Sequence, residues 1–389
     1  MLPCNLSNTS ASDFVATTLA EPKTQKRIKV LHVVNGEYYA GAEKVQDLLA
    51  LHSRQFGIDS GFACVRGNQF PLKRECQNAP LETHKLAHPW HVNSIKSIVK
   101  MVETGDYDLL HAHPPRSGWA ALSAGKLSGR PVAYTVHDMF LGQKSGVLRT
   151  AFNRYSIRRL QHADFVTTVS PETTQLAEQL GLGKSRRMIL NGVPAAPNFN
   201  RQPPGKTWTL GSVGLIRPCK GIEVLIESIA ILKKRNCPIR ATIVGTFYTE
   251  SYQQEIMQLV AKNGLTADIE FPGFTTDVPA HLKNFDLFAM PSVEPEGLPM
   301  VLLEAMAHGL PMIGSDVPGV RDAITHDSDG YIFPNKNPEA LANTVQNFIT
   351  GKINWLRLSK NAKSRHHEQF SAERMAQEFS EVYHNLVAS

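Results

Sequence analysis

Short β-rich runs alternate with stretches of helical periodicity twice along this chain, and that pattern admits few folds. The first series has strand-like runs at 28–34, 61–65, 108–111 and 131–137, with a helix-like stretch at 42–53. After a Pro/Gly/Asn-rich run at 192–207, a second series places strands at 209–214, 241–245, 268–271, 286–290 and 311–314. Helical spacing at 221–234, 251–263 and 298–308 separates these strands. Alternation of this kind builds parallel α/β sheets, and 389 residues are enough for two of them. The expectation is an α/β protein with two doubly wound domains, 28–195 and 205–365, facing each other across a cleft. A Ser/Thr/Asn/Ala-rich tail, 1–27, precedes them. The last 50 residues read as helical, with 366–389 returning to the first domain. In open parallel sheets ligands bind beyond the carboxyl ends of the strands, so the chemistry belongs in the cleft.

Composition narrows the function classes. With 42% hydrophobic, 8% aromatic and 20% charged residues, wholesale disorder and fibrous repeats are excluded. The longest apolar runs are strand-sized, far below the roughly 18 residues of a membrane span. The first 20 residues lack the basic start and apolar block of a secretory signal, so a cytoplasmic protein is expected. Lys and Arg exceed Asp and Glu by 41 to 35, a net charge of +6 that favours anionic ligands or an acidic membrane face without calling for nucleic acid. Cys4, Cys64, Cys76, Cys219 and Cys237 are odd in number and scattered, without Cys-x-x-Cys spacing, which fits a reducing compartment and no metal.

The most informative segment runs from Pro291 to Gly309, PSVEPEGLPMVLLEAMAHG. It follows a strand and opens a helix. Gly297 suits a sharp turn, and Pro299 suits a first helical turn, where its missing N–H is no loss. The helix N-terminus then offers backbone donors to an anion such as a diphosphate. Glu296 lies in the turn, and Glu304 lies farther along the largely apolar helix, placed to accept hydrogen bonds from a ribose diol. The plainer alternative is a solvated Glu304 and a Glu296 that merely complements the helix dipole. A second segment, Gly211 to Gly221, carries Arg217 and Lys220 at a strand's carboxyl end; they suit a diphosphate or a solvated basic loop. In the first domain, the loop from Asn35 to Glu43 joins the first strand to the first helix, with Gly41 at the helix start. His137 ends a strand and is aimed at the cleft, while His111 and His113 read as structural. The pairs Asp106/Asp108 and Asp327/Asp329 read as turn chemistry rather than metal ligands.

These motifs resemble the retaining glycosyltransferases of family 4, whose two Rossmann-like domains define the GT-B fold. The likeness rests on the Pro-Ser strand end, the Glu-x7-Glu spacing of Glu296 and Glu304, and the Glu-Ala-Met-Ala helix; it covers about 28–385. It implies a nucleotide diphosphate sugar as substrate, no cofactor and no metal, and a glycan, lipid-linked or small-molecule hydroxyl acceptor. It implies that Glu296 contacts the donor sugar, that Glu304 holds the ribose, and that His137 lies near the transferred sugar. It further implies donor-side roles for Gly41, Gly297 and Leu298, and a front-face mechanism in which the departing phosphate takes the acceptor proton. Lys220 matches the family's Gly-Arg-Leu-x-x-x-Lys-Gly run, but Leu215 stands where the arginine is usual, with Arg217 as the candidate substitute. That departure keeps open a catalytically silent nucleotide-binding or scaffold protein of the same fold. A dinucleotide-dependent dehydrogenase fits less well, since no Gly-x-Gly-x-x-Gly follows Val34. Arg154 and Arg158, interleaved with Phe152, Tyr155 and Ile157, offer either a solvated helix face or a peripheral contact with anionic membrane. The apolar Met139, Phe140 and Leu141 just upstream suit a lipid-linked acceptor.

Overall fold

The computed structural model describes residues 26–84, 92–113, 115–137, 147–197 and 201–388. The first sheet contains β1 (Ile28–Val34), β2 (Ile58–Cys64), β3 (Leu81–Thr83), β4 (Leu109–Ala112), β5 (Val132–Val136), β6 (Phe165–Thr168) and β7 (Ser185–Met188). Its strand order is β3-β2-β1-β4-β5-β6-β7. The second contains β8 (Trp208–Val213), β9 (Ile239–Val244), β10 (Ile269–Gly273), β11 (Leu287–Met290), β12 (Met312–Ser315) and β13 (Gly330–Phe333), in the order β10-β9-β8-β11-β12-β13. Every pairing is parallel. In each sheet the winding reverses beside the first strand, at β1/β4 and at β8/β11, which opens a crevice at the carboxyl ends there. This is the GT-B architecture implied by the resemblance.

The central strands form where they do because they are apolar on both faces. All of β5 (VAYTV) and all of β11 (LFAM) are buried, as strands covered by helices on both sides must be. β7 escapes a reading by hydrophobic pattern, since its four residues, SRRM, are all exposed at the sheet edge. The helix expected at 298–308 is shorter, Met300–Ala307, and Pro299 caps it rather than occupying its first turn. Its extended φ/ψ of −66° and 115° keeps Pro299 outside the helix. Most of the expected tail falls outside the described residues. At its end, Arg27 bonds Asp59 at 2.9 Å and so ties that point of the chain to β2.

Two crossings connect the lobes, and they run side by side. Val193 N–H donates to Phe370 O at 2.9 Å, and Ala372 N–H donates to Val193 O at 3.0 Å. The outgoing and returning chains are therefore bridged where they pass between lobes. The last helix, Ala372–Ala388, packs on the helix Gly41–Ser53 of the first lobe. Val45 and Leu48 of that first helix share one contiguous core with Met300, Leu302, Phe379 and Tyr383, so apolar packing runs through both lobes. No helix among the described residues is long and apolar enough to cross a membrane.

Candidate active site

Two loops of the second lobe are stitched together beyond the carboxyl ends of β8 and β11. Gly221 adopts φ +65°, and a Cβ there would stand 2.0 Å from Pro291 O, so only glycine lets the loops lie this close. Val293 N–H donates to Cys219 O at 2.9 Å and fixes their register. The consequence is a direct bond between two residues singled out separately in the sequence. Lys220 Nζ reaches Glu296 Oε1 at 2.7 Å, and Ser292 Oγ donates to the same oxygen at 2.7 Å. Only 19% and 15% of the Lys220 and Glu296 side chains is exposed, so each charge depends on the other.

Glu304 faces the first lobe. Its Oε1 meets Lys44 Nζ at 2.5 Å, a contact between the helix Gly41–Ser53 and the helix Met300–Ala307. Gly41 opens the first of these helices, and a Cβ on it would lie 3.7 Å from Met300 Cγ. Two helix N-termini thus converge, both presenting backbone N–H groups to the same space. Glu43, 5% exposed, shapes the loop before Gly41. Burial pushes its carboxyl up to about 7, against hydrogen bonds from its own backbone and those of Ala40 and Gly36.

Gly297 is needed for a reason other than a turn. It has no positive φ; instead, a Cβ there would stand 1.8 Å from His137 O, so the second lobe touches the first at this point. Leu298 is buried in the core, and its carbonyl accepts from Asn191 Nδ2 at 3.2 Å. Arg217 precedes the short 3-10 turn Pro218–Lys220, and its buried Nε has no hydrogen-bond partner. Leu215 is 42% exposed and lines a shallow pocket with Gly214, Lys220 and Pro291.

His137 belongs to a row of imidazoles on one face of the first sheet. His113 Nδ1 lies 2.5 Å from His137 Nε2. His111 bonds Tyr383 OH at 2.7 Å and Thr135 Oγ1 at 2.8 Å. Burial pushes His32 down to about 3 and His137 to about 4, and holds His111 and His113 well below the ordinary histidine value. Ring nitrogens of His32, His111 and His113 come within 4.8 Å of one another. His111 has both nitrogens engaged, by Tyr383 and Thr135, so the trio is a poor cage for a cation. Asp108 Oδ2 accepts from Lys29 N–H, and Asp329 Oδ1 from Thr325 N–H, as structural carboxylates do.

Lys44, Glu43, Ser292 and Asn191 were not singled out as site residues by the sequence. Lys44 and Glu43 sit beside the Gly41 loop, which was the available signal. Arg154 and Arg158 are exposed on the helix Val147–Leu160, whereas the segment 139–141 lies outside the described residues. Cys64, Cys76, Cys219 and Cys237 are free thiols.

Two lysine–carboxylate pairs and two helix tips around one cleft suit a ligand that carries a diphosphate and a diol. Comparison with known proteins identifies the family. Residues 39–196 match the family model described as Glycosyltransferase Family 4, and 197–365 match Glycosyl transferases group 1. The amylovoran biosynthesis glycosyltransferase AmsK of Erwinia amylovora is 26% identical over 182 residues, 45% of this chain but only 44% of that protein. The UDP-Gal:alpha-D-GlcNAc-diphosphoundecaprenol alpha-1,3-galactosyltransferase of Escherichia coli is 22% identical over 94% of this chain and 99% of its own length. Among solved structures, Anabaena Alr3699/HepE in complex with UDP and glucose superposes with a TM-score of 0.79 at 20% identity, covering 92% of this chain and all of that one.

Proposed function

Since the chain belongs to the family 4 glycosyltransferases, we propose that it moves a sugar from a nucleoside diphosphate sugar to a hydroxyl acceptor, with retention and without a metal ion. The observation that carries this reading is the pairing of Lys220 with Glu296 and of Lys44 with Glu304 at the two helix tips. Lys220, Arg217 and the N-terminus of the helix Met300–Ala307 bind the diphosphate. Glu304 accepts hydrogen bonds from the ribose hydroxyls, and Glu296 and His137 orient the sugar. The bond from the anomeric carbon to the diphosphate breaks, and its electron pair stays on the diphosphate, where the cations offset the growing charge. The acceptor oxygen bonds to that carbon on the face the diphosphate leaves, and its proton passes to a diphosphate oxygen. Holding both reactants in the cleft supplies the rest of the rate.

Names of the relatives direct the choice of substrates. HepE is bound to UDP and the galactosyltransferase is named with UDP-Gal, which supports a uridine diphosphate sugar as donor. The galactosyltransferase is also named for a diphosphoundecaprenol acceptor, which supports a lipid-linked glycan here. A second reading, a silent nucleotide-binding scaffold, draws on Leu215 at the position of the family arginine.

Thermal stabilisation by UDP, GDP, ADP and NAD at equal concentration tests the site, because a ligand of the folded state raises stability according to its affinity. UDP is expected to shift the melting temperature and NAD to leave it unchanged. Glu304→Gln is expected to weaken UDP on the order of tenfold, as losing one charge-assisted hydrogen bond of about 1.5 kcal/mol does. A UDP shift without any sugar release from UDP-sugars, with or without acceptor, would favour the scaffold.

A further inference from the structure

We propose that His113 sets the tautomer of His137, so that His137 keeps its proton on Nδ1, the ring nitrogen that does not face His113. This rests on the reading of His137 as a sugar-side residue, although the tautomer itself does not depend on it. The two rings are 22° from parallel with centroids 4.8 Å apart, while His113 Nδ1 and His137 Nε2 are 2.5 Å apart. That centroid spacing is about the most such a short N···N contact allows. The rings therefore meet end to end, with one nitrogen of each on the line between them. One proton lies on that line, because burial keeps both rings neutral.

The far side of His113 decides whose proton it is. His113 is 1% exposed, and its Nε2 is buried without a hydrogen-bond partner. If His137 donated from Nε2, His113 would carry its proton on Nε2, as an orphaned buried N–H. If His113 donates from Nδ1, its Nε2 is a bare lone pair, which proteins tolerate better. The second arrangement wins. It leaves His137 Nε2 as an acceptor and puts its proton on Nδ1, the remaining ring nitrogen. His137 O lies against Gly297, so the same residue that touches the donor loop through its backbone carries a ring donor of fixed identity. His113 is thus a positioning residue for His137.

The test is nitrogen NMR of the full chain labelled with 15N-histidine, His137 being identified by the resonances that vanish in His137→Gln. The native chain is expected to show His137 protonated on Nδ1. His113→Asn, whose amide nitrogen stands near the place of Nδ1 and can donate, is expected to keep that tautomer. His113→Asp, which only accepts, is expected to move the proton to Nε2 and to lower turnover of UDP-sugar on the order of tenfold more than it changes KM. A native His137 protonated on Nε2 overturns the proposal even if neither variant folds, and so does an unchanged tautomer in His113→Asp. A tautomer that moves as expected while turnover does not would uphold the role of His113 and instead sink the sugar-side reading of His137.

Discussion

Lys220 holds the Glu296 carboxylate and is the cation proposed to meet the diphosphate, and this makes it the most telling single residue to change. Lys220→Ala is expected to lower turnover on the order of a hundredfold, through lost stabilisation of the leaving charge. It would also leave the Glu296 carboxylate, with 15% of the side chain exposed, with Ser292 as its one remaining hydrogen-bond partner among the described residues. Release of UDP from UDP-sugar measures the first effect, and near-normal release would hand the charge role to Arg217. Glu296, Glu304 and Lys220 were legible in the sequence because each sits in a local pattern with glycine, proline and helix signals around it. Lys44 was not, because its partner Glu304 is 260 positions away and no local spacing announces such a pair. Gly297 was found for an incomplete reason, since a turn can be read from neighbours in sequence but a carbonyl from the other lobe cannot.

Among the elements, the Pro291–Pro299 loop and the end of β5 form the joint between the lobes. Gly297→Ala would drive a Cβ to within 1.8 Å of His137 O, a clash of backbone with side chain that only a displacement of one lobe relieves. Nucleotide affinity measured by calorimetry is expected to hold within a few-fold while turnover falls at least tenfold; equal losses in both would mean that the loop itself had collapsed. The helix Ala372–Ala388 fastens the other side, through Tyr383 OH on His111. Tyr383→Phe removes one buried partner and is expected to cost about 1–3 kcal/mol, read as a lower melting temperature; no change would show that His111 finds another donor or acceptor. Buried central strands such as β5 and β11 were readable from their apolar runs, and β8 and β9 likewise. β6 and β7 were not, as β7 exposes all four of its residues and carries no core-facing pattern.

Across the whole molecule, buried neutral imidazoles make stability depend on pH. His32, His111, His113 and His137 all bind protons less readily in the folded chain than at the ordinary value of 6.5. Their contribution is complete above pH 6.5 and is lost as pH falls below it, a loss that extends toward about 4 for His137 and about 3 for His32. Glu43, raised to about 7, Asp322, raised to about 6, and Asp286 and Asp329, also raised by burial, act in the opposite sense, but among the described residues His84, His308 and His366 are lowered as well, so the histidines outnumber them. The melting temperature is therefore expected to drop steadily between pH 7 and pH 5, and a flat profile would show that the rings take up protons without loss. The bridged crossings at Val193 and Ser371 carry a different consequence, one for the order of synthesis. A ribosome finishes β1 to β7 long before it reaches Tyr383, so His111 waits for its cover until the second lobe has been made. The half of the protein that emerges first is then the last to be completed, and until that moment its exposed apolar face is a substrate for chaperones.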